Sequence, residues 1–278
     1  MRHCYLGKAK DIDLSVDETF NVLREFERMQ GLRLLITGGE PLMHPGFKEI
    51  NAKLPEFAFR KILFTNGVML TESALRSLNV HEIQISVDGL ERSHDALRGA
   101  GTYQKAISAI KRARDNGYEV SVSTMVHAEN LEDFDAMDSL FRDMGARDWT
   151  VDIPCATGNL EANSVFSLTP EESGKYLKYG FGEGLHGGAG GFACGHYLMS
   201  VTAQGKCAKC AFYEDAPVGD ISEGLRACWE RVRHIALSEL ECDCDVLEAC
   251  RGGCRYRAEQ VTSALGKDLY RCHFYGKI

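Results

Sequence analysis

Short apolar runs alternate with segments of helical periodicity between residues 15 and 152, and this alternation restricts the fold more than any other feature. The runs that predict strands are LRLLIT, RKILFTNG, EIQISVDG, EVSVSTMV and DWTVDIP. Helices are predicted between them, starting with SVDETFNVLREFERMQ, whose N-cap candidates are Ser15 and Asp17, and including TESALRSL, capped by Thr71. This order indicates βα units in a parallel sheet. Because such units begin with a strand, the chain is expected to lack one strand before its first helix.

The composition of the 278 residues is that of a globular protein, with 44% hydrophobic and 26% charged residues. No apolar run approaches the ~20 residues that span a bilayer. No secretory signal is recognisable either, so we expect a cytoplasmic protein without a membrane partner. The net charge of −8 argues against a nucleic-acid surface.

The eleven cysteines are unevenly distributed, because only Cys4 and Cys155 precede residue 194. The other nine are Cys194, Cys207, Cys210, Cys228, Cys242, Cys244, Cys250, Cys254 and Cys272. Without a secretory signal, this density favours metal or cluster ligation over a disulfide framework, and structural zinc is the alternative to a cluster. Cys228 lies in the helical apolar pattern LRACWERV and is interpreted as a core residue. Burial is also expected for Cys155, rather than a place at the mouth of the site.

Residues 153–193 form a segment of different character. SLTPEES predicts a helix start, and GFGEGLHGGAGGFACG contains eight glycines in sixteen residues. A flexible linker is the expected structure of this glycine-rich stretch. The alternative is a loop whose backbone passes close to a buried cofactor.

Three consecutive predicted strands end in small polar residues followed by glycine. ITGGEP follows the first strand, TNG the second and SVDG the third. Since the carboxyl ends of parallel strands meet at one edge, these segments are expected to line one mouth. Gly38 and Gly39 would let a ligand approach the backbone, and Glu40 would add a negative charge beside them. A tight βα turn without a ligand is the alternative for ITGGEP alone.

The segments HCY, ITGGEP, TNG and SVDGLERSHDALRGAGTY occur in the order and spacing that is typical of radical S-adenosylmethionine (radical SAM) enzymes, which the chain resembles over essentially its whole length. The resemblance implies a partial (β/α)6 TIM-like barrel that lacks its first strand. It also implies a [4Fe–4S] cluster held by three cysteines, with S-adenosylmethionine on the fourth iron. In that family the cofactor is cleaved to a 5′-deoxyadenosyl radical, which abstracts hydrogen from the substrate.

The resemblance assigns roles to individual residues. Cys4 matches the third cluster cysteine and His3 the aromatic-type position against the adenine. Gly38 to Glu40 match the segment that receives the methionine amino group, Ser86 and Asp88 the ribose side, and Arg98 an arginine that reaches the methionine carboxylate. The implied cofactor-binding residues are His3, Tyr5, Gly38, Gly39, Glu40, Pro41, Asn66, Ser86, Asp88 and Arg98. Met1 stands where the second cysteine belongs; because GGEP and SVDG are intact, a truncated start is expected rather than a degenerate protein.

The last 85 residues resemble the SPASM domain, which binds auxiliary iron–sulfur clusters in many radical enzymes. The pattern is Cys194-x10-Gly205-x4-Cys210, then Cys244-x5-Cys250-x3-Cys254 and Cys272, with Cys242 one residue closer to Cys244 than is usual. The resemblance implies one cluster on Cys194, Cys210 and Cys254, with Cys207 as candidate fourth ligand; the alternative is that the fourth iron stays open. It implies a second cluster on Cys242, Cys244, Cys250 and Cys272. The expected domains are therefore a barrel at 1–152, a bridge at 153–193 and a SPASM domain at 194–278.

The expected function is that of a maturase that abstracts hydrogen from a peptide or protein side chain. Processing of a haem or other small cofactor precursor is the alternative within the same chemistry. A non-catalytic iron–sulfur or zinc scaffold is the alternative from another class, and the absent cysteine pair favours it. The implied partners are a peptide or protein substrate and an electron donor such as a flavodoxin or ferredoxin. No residue is assigned as a general acid or base.

Overall fold

The computed structural model describes residues 2–4, 7, 12–155, 157–182 and 190–278. Met1, Tyr5 and residues 183–189 of the glycine-rich stretch lie outside the described residues. The predicted cofactor contact of Tyr5 and the alternatives for that stretch therefore stay predictions.

The main sheet has five parallel strands that lie side by side in their sequence order. They are β1 (Arg33–Ile36), β2 (Arg60–Thr65), β3 (Glu82–Ser86), β4 (Glu119–Met125) and β5 (Asp148–Asp152). Each of the five strands was predicted from its apolar run, and the parallel α/β architecture is confirmed. All carboxyl ends consequently lie at one edge, next to the segments ITGGEP, TNG and SVDG.

Helices connect the strands, and two of the predicted caps are confirmed. The helices are α1 (Val16–Arg28), α2 (Phe47–Lys53), α3 (Glu72–Leu75), α4 (Glu91–Arg98), α5 (Thr102–Asp115) and α6 (Phe134–Asp143), with a 3-10 turn at Pro41–Met43. Ser15, and not Asp17, is the N-cap of α1 and forms a capping box with Glu18. Thr71 caps α3 by accepting a hydrogen bond from the Ala74 N–H.

The largest apolar core lies between the sheet and the helices that cover its outer face. Ile83, Ile85 and Val122 are fully buried there against Ala109 of α5 and Phe134 of α6. Side chains alternate along a strand, so the opposite face carries different residues. That inner face is polar on the neighbouring strands β3, β4 and β5, and its residues include Gln84, Ser86, Ser121, Ser123 and Thr150. The sheet therefore presents polar groups to the interior of the partial barrel.

The C-terminal third contains only short elements. They are α7 (Asn159–Ala162), α8 (Pro170–Ser173), the antiparallel strands β6 (Ser200–Val201), β7 (Lys206–Ala208) and β8 (Gly219–Asp220), and α9 (Leu225–Glu230), α10 (Leu247–Cys250), α11 (Arg255–Val261) and α12 (Leu269–Phe274). Thr169 caps α8 with a capping box, as SLTPEES predicts. Among the described residues, none belongs to a helix that is long and apolar enough to cross a membrane.

Helix α1 connects the two parts of the molecule. Its Phe20 packs in the barrel core, whereas its Val22 and Phe26 pack against Leu225 of α9. The Leu225 N–H also donates a hydrogen bond of 2.6 Å to the carboxylate of Glu25. The short C-terminal elements are thus fixed against the first helix of the barrel.

Candidate cofactor site and thiol clusters

Gly38 and Gly39 form an exposed, unobstructed shelf directly after β1. A Cβ atom added at either glycine would meet no other atom of the described chain within 4 Å. Gly38 has a φ of 138°, which side-chain-bearing residues rarely adopt, whereas Gly39 carries no such constraint. The shelf therefore leaves room for a ligand to approach the backbone, as the sequence predicts.

Glu40 fixes the shelf to the end of the neighbouring strand. Its carboxylate accepts hydrogen bonds from the Thr65 hydroxyl at 2.8 Å and from the Asn66 N–H at 2.9 Å. It also caps the turn that begins at the buried Pro41. A carboxylate offers about four lone-pair sites, so these bonds leave acceptor capacity for a ligand ammonium group. Glu40 is thus both a structural and a candidate binding residue.

Asp88 does not face the mouth, and this corrects its predicted role on the ribose side. Its side chain is 0% exposed. One carboxylate oxygen accepts from the Met125 N–H at 2.8 Å, and the other pairs with the Arg98 Nε and lies 3.7 Å from the His3 Nε2. Burial alone would raise the pKa of Asp88, but the Arg98 guanidinium beside it holds that pKa well below its ordinary value. Asp88 is therefore the centre of a buried polar cluster behind the site, the hub, which includes Arg98 and His3.

The same ion pair changes the interpretation of Arg98. Its side chain is 9% exposed and its Nε is directed at Asp88. The family resemblance predicts that this guanidinium reaches a cofactor carboxylate. The sequence identifies Arg98 but not the direction of its side chain. Arg98 ends α4, and its side chain pairs with Asp88, which lies just before the start of that helix.

Two histidines that sequence reasoning did not single out complete the hub. The Asp88 N–H donates to His94 Nδ1 at 3.0 Å, and the His127 ring lies 2.8 Å from the Asp88 carbonyl oxygen. Burial lowers the pKa of His94 to about 4. Asn130 also donates to that carbonyl, at 3.1 Å. The sequence signal was the SVDG turn followed by a helix that contains a histidine, but only the fold shows that they meet.

The segment around Cys4 lies against this hub. The Cys4 carbonyl oxygen accepts hydrogen bonds from the Gly7 N–H at 3.1 Å and from the Asn159 N–H of α7 at 2.9 Å. The His3 Nδ1 is buried and has no hydrogen-bond partner among the described residues, and burial lowers the pKa of His3 to about 4. A neutral imidazole with an unused nitrogen is suited to a ligand contact. His3, Cys4 and the hub are therefore brought together near the carboxyl ends of β3 and β4.

Asn66 and Ser86, the remaining mouth residues, are half-buried at the ends of β2 and β3. The Asn66 side-chain oxygen accepts from the Val68 N–H at 2.8 Å, which shapes the TNG turn. Ser86 lies on the polar inner face of the sheet, in register with Ser123. Their predicted contacts with the cofactor stay predictions.

A first group of thiols gathers where the barrel meets the Cys-rich region. Cys194 and Cys210 each interact electrostatically with Cys254 and with one another. Burial, followed by these neighbouring thiols, raises the pKa of Cys194 and of Cys210, the latter to about 11. Cys155 adjoins the group, because it shares a side-chain hydrogen bond with Cys254. Predicted burial of Cys155 is confirmed at 6% exposure.

A second group consists of the four cysteines that were predicted to act together. Cys272 interacts electrostatically with Cys250 and Cys242, and Cys244 with both Cys242 and Cys250. Burial is the main cause that raises the pKa of Cys272 to about 11. The donor set of four thiols suits an iron–sulfur cluster.

The turn between Cys250 and Cys254 separates the two groups. Arg251, Gly252 and Gly253 all have positive φ, at 55°, 73° and 68°. A Cβ at Gly253 would lie 2.4 Å from a carboxylate oxygen of Asp268. This left-handed turn, which requires glycine, directs Cys250 to the second group and Cys254 to the first.

Cys207 belongs to neither group, and this corrects its prediction as a fourth ligand. It is 0% exposed and shares a hydrogen bond with Cys228, which is likewise 0% exposed. Both lie in an apolar cluster with Leu225, Val22 and Phe26. Cys207 lies on β7, opposite Val201 and Gly219, and its side chain is turned into that cluster. Cys228 is a core residue, as predicted.

All eleven cysteines are free thiols. Within the part of the chain that the structure describes, no group of three or more His, Cys, Asp or Glu side chains has the spacing to hold a single metal ion.

The chain belongs to the Radical SAM superfamily, whose sequence profile matches residues 2–141. The members of this superfamily use a [4Fe–4S] cluster and S-adenosylmethionine. The predicted family is thereby confirmed on a match that covers half of the chain.

Individual proteins of known activity or structure are similar to this chain. An AdoMet-dependent heme synthase of Nitratidesulfovibrio vulgaris is 28% identical over 172 residues, which cover 60% of this chain and 47% of that protein. The mycofactocin maturase MftC of Mycolicibacterium smegmatis is 29% identical over 151 residues, covering 52% and 38%. The structure of native anSMEcpe with bound AdoMet and Cp18Cys peptide superposes with a TM-score of 0.75 at 18% identity, over 99% of this chain and 90% of that one.

The likeness to the solved structure establishes the fold, and it extends over the Cys-rich region as well as the barrel. The structural neighbours are radical SAM enzymes of the SPASM type. The chain spans about half the length of the curated relatives it matches.

Proposed function

We propose that this protein is a radical SAM enzyme that binds S-adenosylmethionine at the mouth formed by the strand ends and a [4Fe–4S] cluster at the Cys4 segment. The observation that carries the proposal is the open Gly38–Gly39 shelf, which is tied through Glu40 to the end of β2. When bound, the cluster and its cofactor supply a 5′-deoxyadenosyl radical for hydrogen abstraction.

The chain's own residues would bind and orient the cofactor. Glu40 would accept from the methionine ammonium group, because it retains unused lone pairs after its bonds to Thr65 and Asn66. The exposed backbone of Gly39 would allow close approach. His3 would offer its unpartnered ring nitrogen, and the hub at Asp88 would hold His3 in place. Cys4 would supply one thiolate to the cluster.

The two thiol groups would hold auxiliary clusters in the Cys-rich region. Cys242, Cys244, Cys250 and Cys272 would hold one, and Cys194, Cys210 and Cys254 would contribute to the other. An external one-electron donor such as a flavodoxin or ferredoxin would supply the electrons.

For the substrate we propose a peptide or protein side chain. The neighbour with a bound Cp18Cys peptide and the mycofactocin maturase support this choice. A haem or other small cofactor precursor is the second candidate, and the likeness to a heme synthase favours it. The polar inner face of the sheet offers hydrogen-bonding groups to either substrate.

Cofactor binding tests the first part of the proposal. The anaerobically reconstituted chain is titrated with S-adenosylmethionine in an isothermal calorimeter, alongside Gly39→Ala. The added methyl group meets no atom of the described residues within 4 Å, so the fold is expected to be unchanged while affinity falls at least about tenfold, or ~1.4 kcal/mol. Gly190→Ala is the matched control, because a Cβ added there also has no neighbour within 4 Å in the described part of the chain. Equal affinities of Gly39→Ala and the wild type would contradict the assigned site.

Substrate class is tested by measuring 5′-deoxyadenosine released in the presence of a synthetic cysteine-containing peptide or of an iron porphyrin. Stimulation by the peptide together with a mass change in it is expected. Stimulation by the porphyrin alone would replace the peptide with the second candidate.

A further inference from the structure

Cys155 and Cys254 form a thiol pair between the barrel and the Cys-rich region. Cys155 follows the end of β5 at Asp152 and is buried, and Cys254 directly precedes α11. The Cys155 thiol donates a hydrogen bond to the Cys254 sulfur, and both thiols are free. Cys194 and Cys210 interact with the same Cys254. Four cysteines from widely separated parts of the sequence thus converge on one place.

A buried ion network holds both members of this pair in position. Arg257 donates to the Asp152 carboxylate at 2.6 Å and to the Ile153 carbonyl oxygen at 3.1 Å. It also donates to Asp268 at 3.1 Å, and the same Asp268 oxygen accepts from the Cys254 N–H at 2.7 Å. The arginine therefore fixes the backbone immediately before Cys155 and, through Asp268, the backbone of Cys254.

The second thiol pair of the molecule differs in its neighbours. Cys207 and Cys228 are fully buried against Leu225, Val22 and Phe26, and Asp220, Glu223 and Arg231 interact with them electrostatically. Cys155 and Cys254 lie beside the Arg257 guanidinium and the Asp152 carboxylate, and in addition two further thiols, Cys194 and Cys210, approach Cys254. Polar surroundings of this kind suit an anionic group, because the guanidinium compensates negative charge. Thiolates bound to iron are such a group.

We propose that Cys155, and not Cys207, is the fourth thiolate ligand of the iron–sulfur cluster on Cys194, Cys210 and Cys254. This assignment rests on the proposed auxiliary clusters. A [4Fe–4S] cluster has four iron corners, each of which binds one cysteine. Each thiol binds as a thiolate and releases its proton to solvent, without any change of oxidation state. The cluster would then connect the barrel covalently to the Cys-rich region, and none of its irons would be open to substrate.

The test compares cluster content in the full chain. The test proteins are the wild type, Cys155→Ala and Cys207→Ala, each reconstituted anaerobically with ferrous iron and sulfide. For each protein, the iron content per chain and the electron paramagnetic resonance spectrum are measured. Cys155→Ala is expected to lose between about one and about four irons per chain and to change the spectrum. Cys207→Ala, which removes an equally buried thiol, is expected to keep the wild-type iron content.

Unchanged iron and an unchanged spectrum in Cys155→Ala would overturn the assignment while the auxiliary clusters stand. A wild-type chain that takes up no iron would overturn the clusters themselves, and the assignment with them. The two failures are therefore distinguishable.

A wild-type measurement covers the case in which Cys155→Ala does not fold. A small thiol or cyanide is added to the reduced wild-type protein, and the signal of the first auxiliary cluster is followed. Complete ligation by four cysteines predicts no change. A changed signal would reveal an open iron and would overturn the role of Cys155.

Discussion

The barrel and the Cys-rich region are stabilised by different interactions. Among the described residues, the main barrel core contains nineteen buried apolar residues in one continuous cluster, between a five-stranded sheet and its helices. The clusters of the Cys-rich region contain only three or four buried residues each. Its strands are two or three residues long.

The two regions are therefore expected to depend on metal to different degrees. Apolar burial stabilises by about 25 cal/mol per Å², so a large core can support the barrel without ligands. A small region with few apolar contacts requires cross-links. Bound clusters act as such cross-links, and their binding free energy adds to the stability of the folded region. We therefore expect iron to be a structural component of the C-terminal third and only a functional component of the barrel.

Removal of iron is expected to produce the largest effect. Anaerobic chelation of the reconstituted protein should abolish hydrogen-exchange protection in α10 to α12, because their thiols lose the groups that join them. Protection in β3, β4 and α5 should persist, since the core at Ile83 and Val122 does not involve metal. Equal loss of protection in both regions would contradict the comparison, and a mock-treated sample is the control.

Arg257→Met should produce the next largest effect, because Arg257 links the two regions. Its side chain is 6% exposed and lies between Asp152 and Asp268, so its removal leaves the fully buried Asp268 carboxylate without a positive charge beside it. We expect a loss of about 3–5 kcal/mol in the free energy of unfolding, measured by denaturant titration of the reconstituted protein. Arg92→Met removes a partner of Glu129 at the exposed surface and should change stability by about 0–1 kcal/mol. Similar small changes in both variants would show that the buried network does not join the regions.

The fold of the barrel was largely predictable because its signals are local. Each of the five strands is an apolar run, and the caps at Ser15 and Thr71 follow from their own residue type and neighbours. The short elements of the Cys-rich region carry too few residues to show a period. Only the cysteine spacing indicated that region.

The site was predictable in its position but not in its side-chain directions. Gly38, Gly39 and Glu40 lie at the mouth as the motif implies. Asp88 and Arg98 instead pair with each other, because the turn after β3 buries the carboxylate beneath α4. A sequence motif indicates which residues lie near the site, but it does not indicate whether a side chain such as Asp88 points into the site or towards a buried partner.

The approach of Cys155 to Cys254 could not be predicted for a related reason. It depends on where β5 ends relative to α11, and on the Arg257 network that joins them. No spacing rule connects residues so far apart in the chain. Cys207 is the candidate that the resemblance implies, but β7 directs it into an apolar cluster.

The free energy of unfolding of the barrel should depend on pH, because the barrel contains the buried His94. His94 is buried in the hub, and its pKa falls from the ordinary 6.5 to about 4 chiefly because of burial. The charged and titratable groups that interact with it are Asp88, Arg98, Asp95 and His127. Between these two pKa values the unfolded chain binds more protons, so the free energy of unfolding decreases as the pH falls from 6.5 to 4 and is insensitive to His94 above that range.

The expected contribution of His94 is roughly 3 kcal/mol, because each pKa unit corresponds to about 1.4 kcal/mol. It is measured by urea titrations of the barrel signal at several pH values. His94→Gln should reduce the slope between pH 6.5 and 4, while His3, whose pKa burial also lowers to about 4, keeps contributing to it. Ser93→Ala, one residue away and also buried, should leave the slope unchanged although it lowers stability through its lost bond to the Glu129 carbonyl oxygen. An unchanged slope in His94→Gln would refute the assignment to this histidine.

The smallest effect is expected from the cap of α1, which contacts both regions. Ser15 accepts a hydrogen bond from the Glu18 N–H at 3.2 Å and donates its own N–H to the Glu18 carboxylate at 2.8 Å. Ser15→Ala should therefore lower stability by about 1 kcal/mol. Ser139→Ala, at an exposed serine inside α6, should be neutral or slightly stabilising, since alanine has the higher helix propensity.

Hydrogen exchange at Val22 and Phe26 in Ser15→Ala then decides which region α1 belongs to. If Ser15→Ala also speeds exchange in the barrel core but not in α9, α1 belongs with the barrel. If it also speeds exchange in α9 but not in the barrel core, α1 belongs with the Cys-rich region.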